Sequence, residues 1–186
     1  MIIYTTAQSE SDLNGILDLQ KANLRINLSD AEINSQGFVT VVHSFSELKK
    51  LNEIEAHVIA KHEERVIAYL LAMTAKSKND IPVLVPMFEM FDRVSFGAKL
   101  IADNNYIVVG QVCVAKEYRG REILDKTYLT YRNQFENRYD FAITEIDNKN
   151  QRSLNAHKRI GFREINRYNS SDNTEWVIVV WDWKAQ

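Results

Sequence analysis

At 186 residues the chain has the size of one domain able to bury a substantial apolar core, and residues 1–186 read as a single unit. Its 23 basic and 25 acidic residues leave a formal charge of -2, so it lacks the basic field that would hold a nucleic acid. A lone cysteine, Cys113, excludes an internal disulfide or thiolate cluster and fits a cytoplasmic setting, while the lack of any run of about eighteen apolar residues argues against a membrane span.

The β-branched and aromatic run Ile2 to Thr6 predicts a strand, and Ser9-Glu10-Ser11-Asp12 after it supplies side chains that cap a helix. In that helix Leu13, Ile16, Leu17, Leu19 and Leu24 recur at helical spacing, giving one buried face. Gln36-Gly37-Phe38-Val39 breaks the pattern, and Ser46 to Leu51 predicts a turn or two of helix. Two apolar stretches, Ala56 to Lys61 and Val66 to Thr74, flank the polar His62-Glu63-Glu64-Arg65 and predict a hairpin. Residues 81–105 hold both prolines together with Met87, Phe88, Met90, Phe91 and Phe96, which predicts a loop and then a short helix with an aromatic face. That face either packs on a sheet or lines a pocket.

Tyr106 to Val114 is the strongest strand signal. A helix should begin after Gly120, because Ile123, Leu124, Thr127, Tyr128, Tyr131 and Phe135 repeat at three-and-four spacing. Phe141 to Ile146 predicts a strand, and Asn150 opens a helix that Gly161 ends in a left-handed conformation. Phe162 to Tyr168 and Thr174 to Trp183 predict two closing strands, making an α/β domain with a mixed sheet. An apolar last strand, Trp176 to Trp181, offers a surface for pairing with a second copy.

Two segments carry the chemistry. In Val112-Cys113-Val114-Ala115-Lys116-Glu117-Tyr118-Arg119-Gly120-Arg121-Glu122-Ile123 a strand turns into a helix N-terminus, where outward N–H donors and a positive dipole bind phosphate. Arg119 and Arg121 add positive charge at the same end. The second segment runs from Thr144 to Phe162, with Asn150, Ser153, His157 and the Gly161-Phe162 pair along a helix. Together they resemble the GNAT N-acetyltransferase superfamily, whose members show Val-x-Pro-x-Tyr-Arg-Gly-x-Gly-Ile-Gly, then an Asn, a small residue, a Tyr and a closing Gly-Phe. Both segments stand in the family order, and the strand-helix-hairpin order before them agrees.

The resemblance implies a central mixed, mostly antiparallel sheet of about seven strands flanked by helices, in which the strands ending at Val114 and beginning near Phe141 splay apart. It implies acetyl-CoA or another acyl-CoA as cofactor, its pantetheine arm bonded like an added strand to backbone from Val112 to Val114. Arg119, Gly120, Arg121, Glu122, Ile123 and Leu124 would sit at its diphosphate, with Asn150, Ser153 and His157 along the second helix. A backbone N–H near Cys113 would polarise the acyl carbonyl while a primary amine of a small molecule or peptide attacks it. His157 stands where many members carry a tyrosine that protonates the leaving thiolate; an imidazolium could do that work, or the ring simply packs inward. Glu145, Glu89 and Asp92 are the candidate bases. Acceptor choice in this fold falls to loops, here 24–38 and 81–105.

The chain also departs from the pattern. Glu122 and Leu124 replace small residues and Lys116 replaces a proline, and a carboxylate at 122 repels phosphate unless it turns outward or pairs with Arg119 or Arg121. These departures keep a second reading open, a non-catalytic GNAT-fold module that binds CoA or a partner. Cys113, in an apolar strand, reads as a buried small residue and not a nucleophile. His43, His57 and His62 lack a ligand spacing, so no metal site is expected.

Overall fold

The computed structural model describes residues 1–79 and 81–184. Strand β1 (Ile2–Thr6) leads into helix α1 (Glu10–Asn23), started by a reciprocal cap in which Ser9 Oγ accepts the Asp12 N–H at 3.1 Å and Asp12 Oδ2 accepts the Ser9 N–H at 3.1 Å. Helices α2 (Asp30–Gln36) and α3 (Phe45–Ile54) follow, opened by the same device at Ser29 and Ser44. Strands β2 (Val58–His62) and β3 (Arg65–Met73) form the expected hairpin. Then come α4 (Val85–Phe91), a small hairpin of β4 (Ser95–Phe96) and β5 (Lys99–Leu100), β6 (Tyr106–Val114), α5 (Ile123–Phe135), β7 (Phe141–Asp147), α6 (Gln151–Ile160), β8 (Arg163–Asn169) and β9 (Glu175–Asp182).

Seven strands form one sheet in the order β1-β2-β3-β6-β7-β9-β8, antiparallel throughout except where β6 meets β7. One face buries Leu13, Ile16 and Leu19 of α1 with Leu48 and Leu51 of α3. The other buries Tyr128, Tyr131 and Phe135 of α5. These are the apolar stripes that the three-and-four spacing predicted.

The sequence reading needs two corrections, and the structure decides between two alternatives that it left open. Residues 24–38 are not a plain loop, because Ser29 and Glu32 cap a helix too short to show an apolar period. The aromatic face of α4 packs: Met87, Phe88 and Phe91 are buried, and Phe91 meets Tyr106 edge-on at the start of β6. Finally, β9 cannot pair with a second copy, since both its sides are taken by β7 and β8; the sheet's edges are β1 and β8. Among the described residues no helix is long and apolar enough to cross a membrane, and no group of three His, Cys, Asp or Glu side chains is placed to hold a metal ion.

Candidate active site

Strands β6 and β7 pair only from Tyr106↔Phe141 to Val108↔Ile143, and beyond that they part. At the fork Thr144 Oγ1 donates to the Val109 carbonyl at 2.8 Å. A bulge just past it places Gly110 and Gln111 of β6 between the pairs Ala72↔Val109 and Leu70↔Val112. A Cβ there would lie 2.3 Å from Met73 Sδ, so any other residue would make the buried Met73 side chain move. Gln111 fixes the bulge: its Oε1 accepts from Tyr69 O–H at 2.6 Å and Gln20 Nε2 at 3.2 Å, and its Nε2 donates to the Val41 carbonyl at 2.9 Å.

Past the bulge the ladder decides which amides are free. Ala115 N–H donates to the Ile67 carbonyl at 2.8 Å and Cys113 lies opposite Tyr69, so alternation turns the amide of Cys113 toward β3 and those of Val112 and Val114 toward the gap. The amides open to a ligand next to Cys113 are therefore those of Val112 and Val114, and not its own. The Cys113 thiol is buried, which pushes its pKa up to about 12.

The gap opens into a cleft of about 550 Å³. Val112, Cys113 and Val114 line it from β6, as do Arg119, Gly120, Glu122, Ile123 and Leu124 from the start of α5. Asn150, Ser153 and His157 line it from α6. Arg121 alone of the expected group stays outside, exposed, with its guanidinium 5.9 Å from the Tyr118 ring centre.

Several of these side chains do different work from that expected. Arg119 turns inward as a tie: Nε donates to the Val114 carbonyl at 3.0 Å, Nη1 to the Gln36 carbonyl at 3.3 Å and Nη2 to Asn23 Oδ1 at 2.5 Å. The Val114 carbonyl is thereby engaged, and residues 36–39 are drawn over the cleft as a roof. Asn150 holds the same roof from the other side, its Nδ2 on the Phe38 carbonyl at 3.0 Å and its Oδ1 accepting the Ser153 N–H at 3.2 Å. Glu122 has a left-handed backbone, φ 60°, and gives α5 no side-chain cap. Its carboxylate is exposed and pairs with Lys126 at 3.4 Å, not with either arginine. Lys116, the residue in place of a proline, pairs with Glu32 of α2 at 2.9 Å.

His157 is not an imidazolium in reserve. Its Nδ1 lies 2.8 Å from the Ser153 carbonyl, which can only accept, so Nδ1 carries the proton; Nε2 then accepts from Tyr128 O–H at 2.6 Å. Burial lowers its pKa to about 4. Both nitrogens are used, and burial favours the neutral ring.

A smaller cavity of about 90 Å³ lies behind the fork, sharing Phe38, Val112 and His157 with the cleft. Glu145 lines it from β7, accepting from the Tyr168 hydroxyl at 2.5 Å, and burial raises its pKa to about 7. Glu89 and Asp92 line neither space; Asp92 pairs with Lys78 at 2.5 Å beside α4, at the other end of β6. No described residue of 81–105 lines either one. The sequence reading missed the roof residues Asn23 and Gln36 to Val39, and it missed Arg152 and Arg159, which bring α6 cations to the cleft. The break at Gln36-Gly37 was the one signal pointing to the roof.

No family model matches this sequence, and no curated protein matches it. Solved structures do. A GNAT-family acetyltransferase from Streptococcus agalactiae superposes with a TM-score of 0.67 at 10% identity, over 99% of this chain and 96% of that one. The ribosomal-protein-S18-alanine N-acetyltransferase from Escherichia coli gives 0.64 at 10% identity, over 100% and 96%. A chain of the NatC complex bound to Gag peptide and CoA gives 0.65 at 13% identity, over 98% and 99%. The protein has the fold of the GNAT N-acetyltransferases.

Proposed function

We propose that the protein is an acyl-CoA-dependent N-acyltransferase, with acetyl-CoA as the donor and a primary amine of a small molecule or peptide as the acceptor, acting as one unit over residues 1–186. The reading is carried by one observation: strands β6 and β7 splay so that the amides of Val112 and Val114 face an open cleft that ends at the uncapped start of α5.

The residues present fit such a cofactor. Val112 N–H and C=O and Val114 N–H offer strand-like partners to an amide-bearing arm. The first N–H groups of α5 have no side-chain cap, and beside Gly120 a Cβ would meet nothing within 4 Å, so a diphosphate has room there. Arg152 supplies charge at that mouth. Acyl-CoA, when bound, supplies an acyl group activated as a thioester. Across the fork, Glu145 takes the proton that an ammonium must lose before its nitrogen can attack, and a pKa near 7 suits that task. Tyr168 holds the carboxylate in place. His157 positions α6 against α5 and moves no proton.

Titration with acetyl-CoA and CoA tests the reading, and an absence of both heat and thermal stabilisation at millimolar ligand would reject it. A second reading, a GNAT-fold module without turnover, is favoured by the two carboxylates at the start of α5, Glu122 and Asp125. Thiol release with a panel of amines excludes it.

A further inference from the structure

We propose that the cavity behind the fork receives the α-amino terminus of a peptide whose following residues are apolar, with Glu145 meeting the amine and the segments around Ile26 and Val42 receiving the chain. This rests on the acyltransferase reading and goes on to name its acceptor.

Charge supports the choice. Glu145 and Asp147 stand two apart on β7 and so share a face, and no lysine or arginine lines the cavity among the described residues. Asp147 is already matched, paired with Arg25 at 3.5 Å and accepting the Lys149 N–H at 2.8 Å. One carboxylate, Glu145, therefore remains for a cation. A single ammonium fits it, whereas a polyamine would bring further charges against Val39, Val41, Ile146 and Trp176 with no partner for them. A free amino acid would set its own carboxylate against Glu145 and Asp147. A peptide terminus has the amine without that carboxylate.

Shape agrees. The cavity is only about 90 Å³, so most of the acceptor lies outside it. One wall is residues 38–41, before α3, and that segment is joined to the one after α1 where Leu24 bridges Val39 and Arg25 N–H donates to the Val39 carbonyl at 3.0 Å. In these two segments Ile26 is 84% exposed and Val42 63% exposed, large apolar groups that the fold leaves uncovered.

Proton affinity agrees as well. Glu145 is bonded to the Tyr168 hydroxyl from β8, and the titratable groups that line the cavity with it are Asp147, paired with Arg25, and His157 from α6. Its pKa near 7 lies close to that of an α-ammonium, about 8, and roughly three units below that of an alkyl ammonium, about 10.4. On this measure Glu145 is better matched to a peptide terminus than to a lysine side chain or a polyamine.

The test uses the intact chain with acetyl-CoA and measures thiol release. The acceptors are Ala-Leu-Phe amide, Ala-Asp-Asp amide, an N-acetylated lysyl peptide, spermidine and free alanine. We expect kcat/KM for Ala-Leu-Phe amide to exceed each of the others by about tenfold or more. Ile26→Lys and Val42→Lys should raise its KM several-fold with CoA affinity unchanged. Equal or faster turnover of any other acceptor, or an unmoved KM in both variants, overturns the inference and leaves the transferase standing. No CoA binding and no thiol release with any amine overturns both.

Discussion

Tyr128 O–H donates to His157 Nε2 at 2.6 Å, inside an aromatic shell formed by Phe162 and Trp181. The bond joins α5 to α6, the two helices that wall the cleft. Tyr128→Phe leaves a buried nitrogen with no donor, which should cost about 1–3 kcal/mol. The melting temperature should fall by roughly 2–4 °C per kcal/mol. If the pair is structural, the pH profile of kcat keeps its shape in the variant; a displaced limb, with the melting temperature unmoved, would return His157 to proton transfer.

Acid should destabilise the protein well above the ordinary carboxylate range. Burial holds His43 at about 4, His57 at about 3 and His157 at about 4, all below the usual 6.5. The unfolded chain therefore takes up protons first, so stability is full above 6.5 and is lost as pH falls through 6.5 toward 4. His43 is the cleanest probe, being 2% exposed with neither ring nitrogen partnered among the described residues. His43→Phe should flatten the acid side of a urea-stability profile by on the order of 2 kcal/mol. A profile as steep as that of the parent chain would show that His43 titrates normally.

The fold was legible wherever burial imposes a period. Leu13, Ile16 and Leu19 in α1, and Ile123, Tyr128, Tyr131 and Phe135 in α5, announce their buried faces by spacing alone. Asn150 was legible as a helix start because an N-cap needs that side chain. What spacing cannot carry is the aim of a long side chain. Arg119 and Arg121 are alike in sequence, yet one turns in to Asn23 and Gln36 while the other lies over Tyr118. Those partners lie far along the chain, so only the fold brings them together. Glu145 was visible as a carboxylate on a splayed strand, but its hydroxyl partner on β8 was not, because Tyr168 reads as an ordinary strand residue.

Glu145 gives opposite signs in activity and stability. As a base it must be a carboxylate, so kcat/KM should rise with pH through about 7. Tyr168→Phe removes the donor that favours the charged form and should move that limb up by roughly one pH unit. For stability the sign reverses. A carboxyl held at about 7, above its ordinary 4.5, stabilises fully below 4.5 and loses that contribution as pH rises through 7. Glu145→Gln should therefore lose turnover yet gain on the order of 2 kcal/mol of stability at pH 8 relative to pH 4. A variant that is both active and no more stable at pH 8 would place the proton elsewhere.

Glu122 sits in a conformation that suits glycine, at the point where a diphosphate would approach. Its φ of 60° costs a side-chain-bearing residue about 1 kcal/mol, and its carboxylate, although turned out to Lys126, stays near the first amides of α5. Glu122→Gly removes both penalties and loses only an exposed ion pair, which is worth little. Glycine's added freedom in the unfolded chain offsets part of the gain, so the melting temperature should hold or rise by a degree or two. Affinity for CoA should improve several-fold, and more at low salt, because the term removed is electrostatic. Calorimetry at two ionic strengths separates the causes. A salt-independent gain would assign it to backbone relief, and a weaker affinity at both would mean that Glu122 holds the loop in its binding shape.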